Sequence, residues 1–269
     1  MAEALKEVAI VRVRNGRRSA DADRAAAEEP LEVRLHGRPF AVIMRTPGAD
    51  KELAAGFLLS ERVLKSAEDL GTIEYCAGAE NIINATLAGK TSTEIEALAA
   101  ERRQTMTSSS CGFCGRQTIE SLQVDVGRLP PGGHVTSAVV SSLPQRLRQA
   151  QSVFEETGGL HAAGLFAQDG RLLACAEDVG RHNAVDKVIG RMVMADALPL
   201  SDRLLFVSGR SSFEIVQKAL VAGIPIVASV SAPSSLAIEL ARDAGLTLIG
   251  FVRDEGFNIY TCQERVGET

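Results

Sequence analysis

Short alternating runs open the chain, and a longer strand–helix alternation closes it. Residues 8–13 alternate apolar and polar side chains, the period of a half-buried strand. Residues 31–35 and 39–44 repeat that pattern on either side of His36-Gly37, in the manner of a hairpin. Between them GRRSADADRAAAEE has no apolar period and is expected to be a mobile loop. Leu53, Phe57 and Leu58 have helical spacing, and strands are predicted around 73–76 and 82–87. Residues 91–110 turn polar and end in TMTSSS, directly before Cys111-Gly112-Phe113-Cys114. GRLPPGGH then breaks the pattern. It sets the expected boundary between a smaller, mainly β N-terminal α+β domain, 1–135, and an α/β domain, 136–269.

In the second half, Leu143, Leu147, Ala150 and Phe154 read as one helix that Gly158-Gly159 can end. Strand-like runs at 161–167 and 171–176 meet at Asp169-Gly170, a hairpin pair. Residues 184–194 place Val185, Val188, Ile189 and Met192 on one helical face. From Arg203 the order is strand, helix, strand, helix, strand: LLFV, FEIVQKALVAG, PIVASV, LAIELARDAG, LTLIGFV. That alternation predicts a parallel sheet with right-handed crossovers.

Composition narrows the function classes. Apolar residues are 45% and charged residues 23% of the 269, the profile of a globular chain. Trp is absent and aromatics are 4%, which argues against stacking on single-stranded nucleic acid. A net charge of -5 argues against binding a phosphate backbone through bulk charge, so any nucleotide must be held by local loops. No run approaches the roughly 20 apolar residues of a membrane span, and the first residues lack a signal-peptide layout. The expectation is a cytoplasmic protein without membrane contact, its five cysteines reduced. Cys76, Cys175 and Cys262 are expected as free buried thiols.

Cys111 and Cys114 are the first candidates for chemistry. Small residues around them suit an accessible loop, and Arg116 with a following helix start favours a thiolate. One such pair fits a zinc site short of ligands, a thioredoxin-like disulfide without its strand, inert thiols, or a carrier of sulfane sulfur.

A nucleotide site is the second candidate. Two strands run into serine-rich turns, Ser208-Gly209-Arg210-Ser211-Ser212 and Ser231-Ala232-Pro233-Ser234-Ser235. The third ends in Phe251-Val252-Arg253-Asp254-Glu255-Gly256. Parallel strands would put all three on one carboxyl edge, where α/β proteins bind ligands and helix N-termini suit phosphate. Arg210 and Arg253 could supply charge, and Asp254 or Glu255 could accept from guanine or ribose. Capping and turn formation alone also explain such residues. Neither loop matches the lysine-containing phosphate loop or the dinucleotide glycine fingerprint. His161 and the cluster Asp178, Arg181, His182 are further polar concentrations, the latter open to a capping explanation. Zinc-deaminase chemistry is excluded: Ala162-Ala163 follow His161 where a glutamate is required, and the cysteine pair precedes the histidine.

The blocks SSSCGFCG, TGGLHAAGLF, EDVGRHNAVDKVIG, SGRSSFEIVQKALVAGIPIVASVSAPSSLAIELA and GLTLIGFVR together closely resemble the FdhD/NarQ family of formate dehydrogenase accessory sulfurtransferases. The resemblance runs from about residue 30 to the C-terminus. It implies a cytidine-deaminase-like α/β domain and a cysteine desulfurase as sulfur donor. Cys111 would bear the persulfide, assisted by Cys114. The acceptor would be the bis-molybdopterin guanine dinucleotide cofactor of formate dehydrogenase, whose GDP-like end would lie on 251–256. It also implies a homodimer, and no structural metal is expected. The alternatives are a non-enzymatic cofactor chaperone and a zinc-stabilised nucleotide-binding module.

Overall fold

The computed structural model describes residues 4–89, 94, 127–253 and 256–268. The cysteine pair, Cys111 and Cys114, therefore lies outside the described residues, as do Asp254 and Glu255.

Strands β1 (Leu5–Arg14) and β2 (Arg17–Ala26) form an antiparallel ribbon that pairs with no other strand among the described residues. β2 occupies the stretch expected to be a loop. Its residues are almost all exposed, so burial imprints no period on the sequence. β3 (Glu29–Leu35), β4 (Arg38–Arg45), β5 (Leu70–Tyr75) and β6 (Ile82–Leu87) make a second sheet in the order β4-β3-β6-β5. There the alternation did its work: Leu31, Val33 and Leu35 are fully buried.

Helix α1 (Asp50–Ser60) rests on this sheet. Helices α2 (Ser137–Gln149) and α3 (Ser152–Thr157) replace the single expected helix, because the chain breaks at Ala150-Gln151 while the apolar spacing carries across. β8 (His161–Ala167), β9 (Leu172–Asp178), α4 (Arg181–Met194), β10 (Arg203–Val207), α5 (Phe213–Val221), β11 (Ile226–Ser229), α6 (Ser235–Ala244), β12 (Thr247–Arg253) and β13 (Gly256–Thr261) follow. Between β6 and β8 lies β7 (Val135–Thr136), paired in parallel with β14 (Val266–Gly267).

The main sheet has the order β13-β12-β11-β10-β8-β9. Only β10, β11 and β12 run parallel; β8, β9 and β13 are antiparallel to their neighbours, so the sheet is mixed. One face carries α4, α5 and α6 over Leu165, Leu205, Val207, Val227 and Leu248. The other carries α2, whose Val140, Leu143 and Leu147 meet Phe166, Phe206 and Ile249.

α1 and α4 join the two halves of the chain at a pair of glycines. A Cβ on Gly56 would lie 1.9 Å from Asp186 O, and one on Gly190 would lie 1.8 Å from Glu52 O. Only glycine permits so close a crossing. Ionic contacts buried at this junction reinforce it. Lys187 Nζ bonds Asp178 Oδ2 at 2.7 Å and Thr46 O at 2.8 Å, and Asp186 takes Lys218 Nζ at 2.7 Å and Ser60 Oγ at 2.7 Å.

Candidate functional site

Because β8 runs against β10, its first residue shares an edge with the carboxyl ends of β10, β11 and β12, as does the end of β9. The three predicted turns meet there through their backbones. Ser211 bridges Pro233, and Ser234 N–H donates to Ser211 O at 3.1 Å. Phe251 N–H donates to Ser231 O at 3.2 Å, and Arg253 Nε donates to Val230 O at 3.3 Å. Gly250 closes against the second turn, where a Cβ would sit 3.0 Å from Pro233 and 3.1 Å from Ser231 O.

The side chains divide by availability. Ser208 Oγ accepts from Ala162 N–H at 2.9 Å, stitching β8 to the first turn. Ser211 is fully buried, and its hydroxyl has no partner among the described residues. Gly209 faces His161 and Arg181, where a Cβ would make ordinary contact at 3.5 Å from His161 Nδ1 and 3.7 Å from Arg181. Arg210 is exposed. Phe251 has a φ of 56°, a left-handed conformation that a bulky residue rarely adopts, and its exposed ring faces the Arg253 guanidinium at 5.8 Å. Val252 turns its side chain into the α2-side core and offers the edge only backbone. Gly256 is exposed and pairs with Arg253.

Capping explains one serine and not its counterpart. Ser234 Oγ accepts from Ala237 N–H at 3.3 Å and caps α6. Ser212, at the start of α5, makes no cap bond; its hydroxyl lies 3.2 Å from His182 Nε2. The same ring nitrogen is 2.7 Å from Glu214 Oε2, an ion-pair distance without hydrogen-bond alignment. Asp178 is architectural, taking Gly180 N–H and Asn183 Nδ2 at 2.8 Å each besides Lys187. Burial, then the nearby Arg181 charge and His182, hold His161 below the usual histidine range. Arg181 Nε is itself buried without a partner among the described residues.

His161 and Ser208 also border a cavity of about 750 Å³ on the α2 side, lined by Leu147, Phe154, Phe206 and Val230. Arg148 lies over the Phe154 ring at 4.5 Å. Glu214 and Arg148 escaped the sequence reading because each sits within an apolar helical spacing, and Phe154 entered it only as a helix position. Away from the edge, Cys76, Cys175 and Cys262 are free as expected but only partly buried. Burial pushes the Cys175 thiol up to about 11.

Among the described residues no helix is long and apolar enough to cross a membrane. The FdhD/NarQ family profile matches residues 26–267. The sulfur carrier protein FdhD of Streptomyces coelicolor is 49% identical over 96% of this chain and 94% of its own length. That of Mycobacterium tuberculosis is 47% identical over 90% and 91%. A solved structure of a formate dehydrogenase accessory protein from Desulfotalea psychrophila superposes with a TM-score of 0.78 at 26% identity, covering 98% of this chain and all of that one.

Proposed function

The chain belongs to the FdhD/NarQ family, and on that premise we propose that it is a cytoplasmic sulfur carrier serving formate dehydrogenase. Cys111 takes sulfur from a cysteine desulfurase and hands it to the bis-molybdopterin guanine dinucleotide cofactor. The relatives' name supports the carrier role. The convergence of three strand ends on one edge supports a nucleotide-bearing acceptor, and is the single observation that carries it.

Loading is an exchange with no net oxidation. The Cys111 thiolate attacks the outer sulfur of the donor's persulfide, a new S–S bond forms, and the donor cysteine leaves as thiolate. Cys114 stands three residues away to assist or relay. At the edge, Arg210 and Arg253 attract the diphosphate, while the Phe251 ring offers a planar surface to the base. Ser211 Oγ and Arg181 Nε are buried polar atoms without partners among the described residues, a costly state that an oxygen-rich ligand would relieve. Asp254 and Glu255 are the proposed acceptors for guanine or ribose. The α/β half is read as a cytidine-deaminase-like scaffold in which Ala163 stands where deaminase chemistry needs a carboxylate.

Peptide mass spectrometry after incubation with a cysteine desulfurase and cysteine tests this. A gain of one sulfur on Cys111, lost in Cys111→Ala while GDP binding is kept, is the expected result. No gain on Cys111 or Cys114 with an active desulfurase would overturn the carrier mechanism. Loss of GDP binding in Cys111→Ala would turn the reading toward a chaperone.

A further inference from the structure

Among the described residues the most exposed secondary structure is the β1–β2 ribbon. Its register runs from Leu5 opposite Ala26 to Arg14 opposite Arg17. Directly opposed residues share a face, so Ala9, Val11, Val13, Ala20 and Ala22 form one apolar stripe. All five are exposed, Val11 at 64% and Val13 at 60%. Arg14, Arg17 and Arg18 crowd the tip, exposed and without an ion-pair partner among the described residues.

Two further observations set this ribbon apart. Residues 5–26 carry six basic and three acidic side chains in a chain of net charge -5, so the rest of the molecule is markedly acidic. Among the described residues the ribbon is held near its base, by Ala27 N–H to Ala4 O at 2.9 Å, Lys6 to Glu29 at 2.7 Å, and the Arg24–Glu156 pair. An isolated two-stranded ribbon is marginally stable in water, and an exposed apolar face of this kind marks a contact surface.

We propose that the ribbon is an exchange arm: its apolar face and arginine tip dock on the acidic body of a second copy, whose own arm docks in return. Charge favours this occupant, because basic tip and acidic body are complementary between copies, whereas the acidic body repels nucleic acid or an anionic membrane. Area favours it too. A ten-residue ribbon is about 33 Å long and about 10 Å wide, so one face covers about 330 Å². One-way docking on an unrelated protein would bury about 650 Å² in total, which is crystal-contact size; reciprocal exchange buries about 1,300 Å², within the range of specific interfaces. Arm exchange gives a surface to the homodimer that the family resemblance implies, rests on that implication alone, and involves no sulfur chemistry.

Sedimentation velocity of the full chain at micromolar concentration, across a salt series, tests it. The wild type is expected to be a dimer that weakens with salt. Val11→Ser/Val13→Ser and Arg14→Glu/Arg17→Glu/Arg18→Glu are each expected to weaken dimerisation at least tenfold with unchanged melting, since both sets lie outside the two cores. A dimer equally tight in both variants would overturn the arm and leave the homodimer standing; a monomeric wild type would overturn both. Hydrogen exchange on the wild type needs no variant: ribbon amides should exchange faster on dilution to monomer, and exchange that ignores dilution would count against the arm.

Discussion

Helices α5 and α6 leave the same sheet edge from nearly identical serine turns, yet they are built in opposite ways. α5 is buried along Phe213–Leu220, includes charged side chains in that burial, and begins without a side-chain cap. α6 buries only Ala237, Ala241 and Ala244 and begins on a capping serine. Where the serine is used by its own helix, as at Ser234, the turn is architecture. Where it is not, the hydroxyls go elsewhere: Ser212 Oγ lies against His182, and Ser211 Oγ is buried with no partner among the described residues. Similar turn chemistry in sequence thus marks one turn that caps its helix and one that does not.

The largest expected effect lies under α5. Asp186→Ala removes the carboxylate facing Lys218 and Ser60 and leaves a buried ammonium uncompensated, a cost of about 3–5 kcal/mol. Urea denaturation measures it, and a cost below that of uncapping α6 would erase the contrast. Next come the edge cations. Arg210→Ala and Arg253→Ala should each weaken GDP binding a little over tenfold, about 1.5 kcal/mol, by calorimetry. If neither changes affinity, the nucleotide sits elsewhere. Ser234→Ala should cost about 1 kcal/mol of stability as a lost cap, whereas Ser212→Ala should stay within about 0.5 kcal/mol. Equal costs in the same denaturation assay would mean the two serines do the same work.

The smallest effect concerns pH. The folded pKa of His161 lies below its unfolded value, so the unfolded chain gains the proton first as pH falls. Stability contributed by the neutral ring is therefore lost progressively below about pH 6.5, until the folded ring also protonates. His161→Gln should flatten that part of the stability–pH curve; an unchanged slope would show that another group carries it.

The sequence made legible what burial writes into it. Leu31, Val33 and Leu35 announced a half-buried strand, and the 203–253 alternation announced three parallel strands ending on one edge. β2 stayed invisible because a ribbon in solvent needs no apolar period. The break between α2 and α3 stayed invisible because Leu147 and Phe154 keep helical spacing across it. At the edge, the turns holding Ser208, Ser211, Ser231 and Phe251 were anticipated from their composition, and the structure brings them together. Glu214, whose significance depends on His182 folding back against it from thirty-odd residues away, has no local signature.

The glycine crossing of α1 and α4 constrains how this protein can be altered. Each glycine accommodates a backbone carbonyl from the opposite helix, so neither helix can slide along the other by even part of a turn. Arg181 and His182 stand at the start of α4, and their position is thereby indexed to residues more than a hundred places earlier in the chain. A chimaera joining the first sixty residues of one relative to the remainder of another would have to bring both glycines together, or the edge would be assembled out of alignment.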